Sequence, residues 1–191
     1  MDTRLCVYGI VLMFKEFNKL KQKNNVFKKD IMSILQDLAK TISVYDLMIA
    51  TAILREDGKY VQKNYREDYF EIYIKYFIMR IKDVKEDKKE YDELIDKKDF
   101  SEAIELLESQ FNDKKLYKNE NDKFPVIYTI ISLYTTFILD EPIHPIGTPF
   151  PGNLKVKYDK GIYLCPVKDK QSENPNAVCK FCIAKQDDLQ S

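Results

Sequence analysis

The chain is short of histidine, glycine and net charge, and each shortage narrows what it can be. Lys and Arg number 31, as do Asp and Glu, so no overall basic field exists to attract a polyanion, and nucleic-acid binding is not implied. Long hydrophobic runs are missing as well. Residues 5–14 give ten uncharged positions and residues 125–139 give fifteen, whereas a bilayer-spanning helix needs roughly 17–25. The first run also lacks the marks of a signal peptide. Only Arg4 precedes it, beside Asp2, and Lys15, Glu16 and Lys19 follow where small residues would form a cleavage site. Four cysteines in 191 residues are too few for a disulfide framework, and reduced thiols fit a cytoplasmic protein. The five glycines, set against abundant Lys, Ile, Asn and Tyr, point to a compositionally biased genome and to no activity.

What is present suffices for one sizeable core, with 45% hydrophobic and 32% charged residues. The expected fold is mainly α: a bundle-like helical domain over residues 1–140, with a small tail at 141–191 packed on it. Ile31, Ile34, Leu35, Leu38 and Ile42 fall at helical spacing, and Ser43 can cap a second helix ended by Asp57-Gly58. The longest helix is expected over 62–86, with a stripe of Tyr65, Tyr69, Ile72, Tyr76 and Met79, flanked by Phe70, Tyr73, Phe77 and Ile81, that packs the core rather than lining a ligand groove. Residues 82–98 form a charge-rich helix surface or connector. A tetratricopeptide-like segment from Asp99 to Leu107 has no second copy and is an ordinary amphipathic helix. From Pro125 to Ile138 apolar residues cover every side, which places that helix in the middle of the bundle. Its Thr129, Ser132, Thr135 and Thr136 hydroxyls can bond carbonyls of the preceding turn.

Composition changes at residues 141–152, where Pro142, Pro145, Pro149, Pro151, Gly147 and Gly152 predict a stiff, extended loop. Leu154, Val156 and Tyr158 then alternate with Lys155 and Lys157, Asp159-Lys160-Gly161 turns the chain, and Ile162 to Cys165 return as the second strand of a hairpin. A lone hairpin is only marginally stable in water. Asn174-Pro175 signals a helix start, and Cys179 and Cys182, three apart, share one helix face or one tight knuckle.

These features converge on a metal. His144, the chain's one histidine, is followed by Cys165, Cys179 and Cys182 with twenty, thirteen and two residues between successive members. Three thiolates and an imidazole make a closed tetrahedral Zn²⁺ set, and the hairpin-plus-helix layout is treble-clef or zinc-ribbon-like. Cys6 is the reserve fourth ligand. About fifty residues with few large apolar side chains need such a staple. Two other accounts of the cysteines stay open: a redox dithiol, although no βαβ pattern is visible, and buried thiols acting as small hydrophobes. Lys168 and Lys180 are close enough in sequence to lower thiolate pKa or hydrogen-bond sulfur.

The runs His144-Pro145-Ile146-Gly147-Thr148-Pro149-Phe150-Pro151-Gly152 and Tyr163-Leu164-Cys165-Pro166-Val167-Lys168-Asp169-Lys170-Gln171, then Asn174-Pro175 and Cys179-Lys180-Phe181-Cys182, resemble an uncharacterised protein family of methanogenic archaea. The resemblance is specific over residues 141–186. It implies an archaeal cytosolic origin and transfers no mechanism. The function expected is that of a metal-binding, non-enzymatic protein whose helical body or Pro-rich loop binds a protein partner, with the oligomeric state open. Two alternatives are a metalloenzyme with an open thiolate-rich zinc position and a protein carrying an iron–sulfur cluster. Zinc deaminase chemistry is disfavoured because Ile146 stands two residues after the histidine, where a Glu is needed. The tail's seven Lys against five acids beyond His144 do not make a basic patch.

Overall fold

The computed structural model describes residues 3–58, 63–112 and 123–188, with side chains from residue 9 onward apart from that of Asp57. Helices α1 (Thr3–Gln22), α2 (Lys28–Lys40), α3 (Val44–Asp57), α4 (Lys63–Tyr69), α5 (Lys75–Glu86), α6 (Lys97–Asn112) and α7 (Phe124–Leu133) form the body. Their boundaries follow local chemistry. The Ser43 hydroxyl accepts the Asp46 N–H at 3.2 Å and the Asp46 carboxylate accepts the Ser43 N–H at 2.8 Å, a reciprocal cap that starts α3. On α2 the spacing buries Ile31, Met32, Leu35 and Ala39 against α5 and α7. On α6, Phe100, Ala103, Ile104 and Leu107 turn inward, and Phe17 of α1 meets Phe100 edge-on at 6.3 Å.

Residues 63–86 form one long helical run interrupted by a π-helical turn, Phe70–Ile74. The wider turn takes up an extra residue and shifts the inward face. Tyr73, Phe77, Ile81 and Val84 therefore occupy the core, while Met79, at the end of the expected stripe, is 46% exposed. The aromatic residues of this run do pack the core, but on the face that flanks the stripe.

α7 and the π-helical turn that continues it, Tyr134–Ile138, are buried on every side, as an all-round apolar pattern requires. Its hydroxyls depart from expectation. Ser132, Thr135 and Thr136 carry buried side-chain oxygens with no hydrogen-bond partner. For the two threonines, π winding moves the preceding carbonyls off the i−4 line that back-bonding needs. Nothing in the structure explains Ser132.

The charge-rich segment leaves its helix at Asp87 and runs as a connector that pairs with the α1–α2 junction: the Lys28 N–H donates to the Glu93 carbonyl at 2.9 Å, and the Ile95 N–H to that of Val26 at 3.1 Å. Asp87 anchors it by accepting the hydroxyls of Tyr91 at 2.7 Å and Tyr134 at 2.8 Å.

In the tail, β1 (Pro149–Phe150) and β2 (Leu154–Lys155) form one small hairpin, and β3 (Lys157–Asp159) with β4 (Ile162–Cys165) the next. The expected strand from Leu154 to Tyr158 is thus divided at Val156, which is buried between the two hairpins. The Pro-rich loop is not wholly extended either, because Gly152 and Asn153 have positive φ and fold it back onto β2. Lys160 and Gly161, with φ of +47° and +84°, make the tight turn of the second hairpin. β5 (Lys185–Gln186) adds to β4 in parallel, which no local pattern announces. Asn174-Pro175 does not start a helix. The Asn174 side-chain oxygen accepts the Asn176 N–H at 3.0 Å, closing a local turn, and the short helix α8 (Lys168–Ser172) lies before it. No helix among the described residues is long and apolar enough to cross a membrane.

Burial raises the pKa of Asp87, yet the bonds from Tyr91, the Lys89 N–H and Tyr134 outweigh it and hold the carboxyl below its ordinary value. A depressed carboxylate adds stability above its unfolded pKa and loses it as pH falls through the folded one. Asp87→Asn is therefore expected to cost about 1–3 kcal/mol at neutral pH and to flatten the loss of stability below about pH 4, both checked by urea unfolding across pH.

Candidate metal centre

Cys165 ends β4 and is 7% exposed. Pro166 follows it, and the chain turns so that the backbone N–H groups of Val167 and Lys168 lie in hydrogen-bonding position at the Cys165 sulfur. Paired amides aimed at one sulfur favour its thiolate form. Cys179 and Cys182 sit in a second turn, where the Cys182 N–H bonds the carbonyls of Val178 at 3.2 Å and Cys179 at 3.3 Å. This is the knuckle alternative, not the helix face. Lys168 fastens the two turns together: its ammonium donates to the carbonyl of Cys179 and, at 2.7 Å, to that of Cys182. Lys168 thus bonds the backbone beside the sulfurs, and its charge also opposes the upward shift of Cys165 and Cys179. Lys180 instead lies 3.8 Å from Glu102 on α6.

The four residues singled out by the sequence line one cavity of about 180 Å³, with Tyr73, Lys168 and Ala184 also in its wall. Two of its thiols are shifted upward. Burial raises Cys165 first and the neighbouring Cys182 adds to it, while burial, then Cys182 and Cys165, push Cys179 up to about 11. His144 is held between aromatic rings, 4.6 Å from the ring centre of Tyr73 and 5.5 Å from that of Phe150. Burial lowers its pKa to about 4, so the ring is neutral at pH 7, the form that ligates metals. Among the described residues, no group of three or more His, Cys, Asp or Glu side chains is arranged as a metal cluster. The structure therefore gathers the four at one cavity wall without drawing them into a coordination sphere. Cys6 is carried on α1, and its side chain lies outside those described.

Sequence reasoning missed the amide cradle at Cys165 and the aromatic clamp on His144. The first had a signal: a proline directly after the cysteine sets φ near −65° and prepares a turn that leaves the next two amides free. The second had none, since Tyr73 is 71 positions away in sequence from His144.

With this geometry in view, the matches to known proteins become informative. Residues 27–187 match a family model described as an uncharacterized protein conserved in archaea (DUF2115). The chain belongs to this family. A UPF0305 protein of Methanothermobacter thermautotrophicus is 36% identical over 158 residues, covering 82% of this chain and 94% of its own length. The UPF0305 protein of Methanocaldococcus jannaschii is 31% identical with the same coverage. No solved structure matches. The family resemblance read in residues 141–186 thus reaches back to α2, and the helical body from α2 onward lies within the match as much as the tail does.

Two outcomes are expected. Lys168→Met removes both carbonyl bonds and should lower stability by about 1–3 kcal/mol, with faster amide exchange confined to residues 178–183. In metal-free protein the raised thiol pKa values keep Cys165 and Cys179 protonated at neutral pH. Their alkylation by iodoacetamide, followed by mass spectrometry, should keep accelerating to about pH 11 for Cys179.

Proposed function

We propose that Cys165, Cys179, Cys182 and His144 bind one structural Zn²⁺ that joins the two tail turns to the Pro-rich loop, and that the protein works by binding a partner, without catalysis. The observation that supports this is that all four residues line one small cavity, although they come from three segments spread over residues 144–182. The donors suit zinc: three thiols, one of them already cradled by amides, and one neutral imidazole. The tail's short strands, two to four residues each, give such a staple a purpose. A set that fills all four positions leaves none for a substrate, which is why the reading is non-enzymatic.

Metal analysis of protein purified anaerobically tests it. One Zn²⁺ per chain is expected, and Co²⁺ in its place should show the thiolate charge-transfer and intensified ligand-field bands of a tetrahedral site. Single Cys→Ser changes at 165, 179 or 182 should abolish stoichiometric zinc, and His144→Ala should weaken it. Zn²⁺ added to the metal-free protein should release protons, because burial keeps Cys165 and Cys179 as thiols. Iron with inorganic sulfide would replace zinc with a cluster, and protein that binds no metal at micromolar Zn²⁺ would end the proposal.

A further inference from the structure

Lys168 stands apart from other lysines of the tail because no carboxylate answers it. Lys157 faces Asp187 at 3.9 Å and Lys180 faces Glu102 at 3.8 Å. The Lys168 ammonium instead donates to two backbone carbonyls, those of Cys179 and Cys182, and among the described residues no acid pairs with it. An ammonium has three N–H donors, so one of them stays uncommitted. The side chain is half-buried. Among the described residues it is also the one charged side chain lining the thiol chamber, whose wall is otherwise aromatic, aliphatic, thiol or amide. A cation drawn out of water in this way is costly unless negative charge stands near it.

The donor set of the chamber has the opposite imbalance. Three thiolates and a neutral imidazole around a divalent ion leave one negative charge in excess, and in a poorly solvated place that excess needs a cation beside it. Lys168 is placed to be that cation. Its backbone N–H is directed at the Cys165 sulfur, and its side chain crosses to the turn that carries Cys179 and Cys182. One residue therefore joins both cysteine-bearing turns. The two carbonyl bonds fix the ammonium beside all three cysteines, so the positive charge is positioned in advance and no rearrangement is needed to bring it there.

We propose, building on the zinc reading above, that Lys168 is the positioning residue and built-in counter-ion of the metal site, whose ammonium balances the excess negative charge of the filled centre. Electrical closure suits a structural site. Thiolates in an anionic centre give up electron density readily and are open to alkylation, whereas a neighbouring ammonium makes them poorer nucleophiles. The charge, and not the carbonyl tether alone, then sets metal affinity. Arginine can stand in for lysine on this account, and methionine or glutamine cannot.

Zinc affinity of the full chain, measured by competition with a chromophoric chelator, and the absorption spectrum of the Co²⁺ form provide the test. Lys168→Met should weaken Zn²⁺ binding about tenfold to a hundredfold. It should also move the sulfur-to-Co²⁺ charge-transfer band to longer wavelength, because the thiolates lose the positive charge beside them. Iodoacetamide should alkylate the zinc-loaded variant several-fold faster than the zinc-loaded wild type, with released zinc counted separately. Lys168→Gln, uncharged but still able to donate to a carbonyl, should behave like Lys168→Met and covers the case in which the methionine variant folds poorly. Lys168→Arg should restore affinity and band position nearly to those of the wild type. A zinc-loaded wild type whose affinity and spectrum are indifferent to Lys168→Met and Lys168→Gln would overturn the counter-ion alone. Equal weakening by Lys168→Arg and Lys168→Met with the band unmoved would do the same, since a tether without a charge effect explains it. A wild-type chain that takes up no metal would remove the zinc site and its counter-ion together.

Discussion

A helix that is apolar on every side has to be enclosed, and the enclosure of α7 organises the rest of the molecule. Between Pro125 and Ile138 nearly every side chain is buried, and each large one withdrawn from water is worth about 1.5–3 kcal/mol. α2, α3 and α5 pack directly against α7. α6 reaches its continuation through Phe100, edge-on to Phe137 at 5.7 Å. The amphipathic stripes of the outer helices are the counterpart of this one unstriped helix. The cost is the set of hydroxyls it takes inside, three of them unpartnered among the described residues.

The exit of the chain from α7 determines where the tail goes. Asp140 and Glu141 leave the π turn in succession and are taken by different helices, Asp140 by Lys28 of α2 and Glu141 by Arg80 of α5. Tyr76 adds its hydroxyl to Glu141 at 2.5 Å, and the Arg80 guanidinium lies over the Tyr76 ring at 4.0 Å. Partly buried ion pairs repay little beyond their desolvation, so their contribution is direction rather than stability. They aim Pro142 and Ile143 into the body and set His144 against Tyr73. Further along, Gln110 of α6 donates to the Pro175 carbonyl at 2.8 Å, and Phe181 stacks on Phe137. The tail is thus held from several helices at once, although its strands are too short to form a core.

The helical body was largely legible in the sequence because its signals are local. The Ser43 cap, the α2 stripe and the proline at the start of α7 each act within one or two turns. The π turns were not legible: nothing in Phe70–Ile74 or Tyr134–Ile138 announces the extra residue, and tertiary packing decides it. That is why the inward face of α5 was misplaced by one flank. In the tail, Lys160-Gly161 gave the hairpin, whereas the parallel pairing of β5 with β4 joins residues about twenty apart in sequence and leaves no local trace. Asn174-Pro175 misled because the same side-chain oxygen that caps a helix also closes a turn, and the residues that follow supplied no helical stripe to decide between them. The cysteines and histidine were found by type and spacing, yet what orients them, the Val167 and Lys168 amides and the Tyr73 ring, is visible only once the chain is folded.

The direction of the thiol shifts bears on the accounts that the sequence left open. A redox dithiol depends on a thiolate stabilised below its ordinary pKa, but burial dominates at Cys165 and Cys179 and pushes both upward. Inert burial as a small hydrophobe would explain that rise, yet it gives no reason for two amides directed at the Cys165 sulfur or for an ammonium bridging the carbonyls of Cys179 and Cys182. Those groups lower the energy of negative charge in a place too dry to hold it unaided. The proposed cation would supply the missing term, since ligation replaces the thiol proton and cancels the desolvation that opposes ionisation.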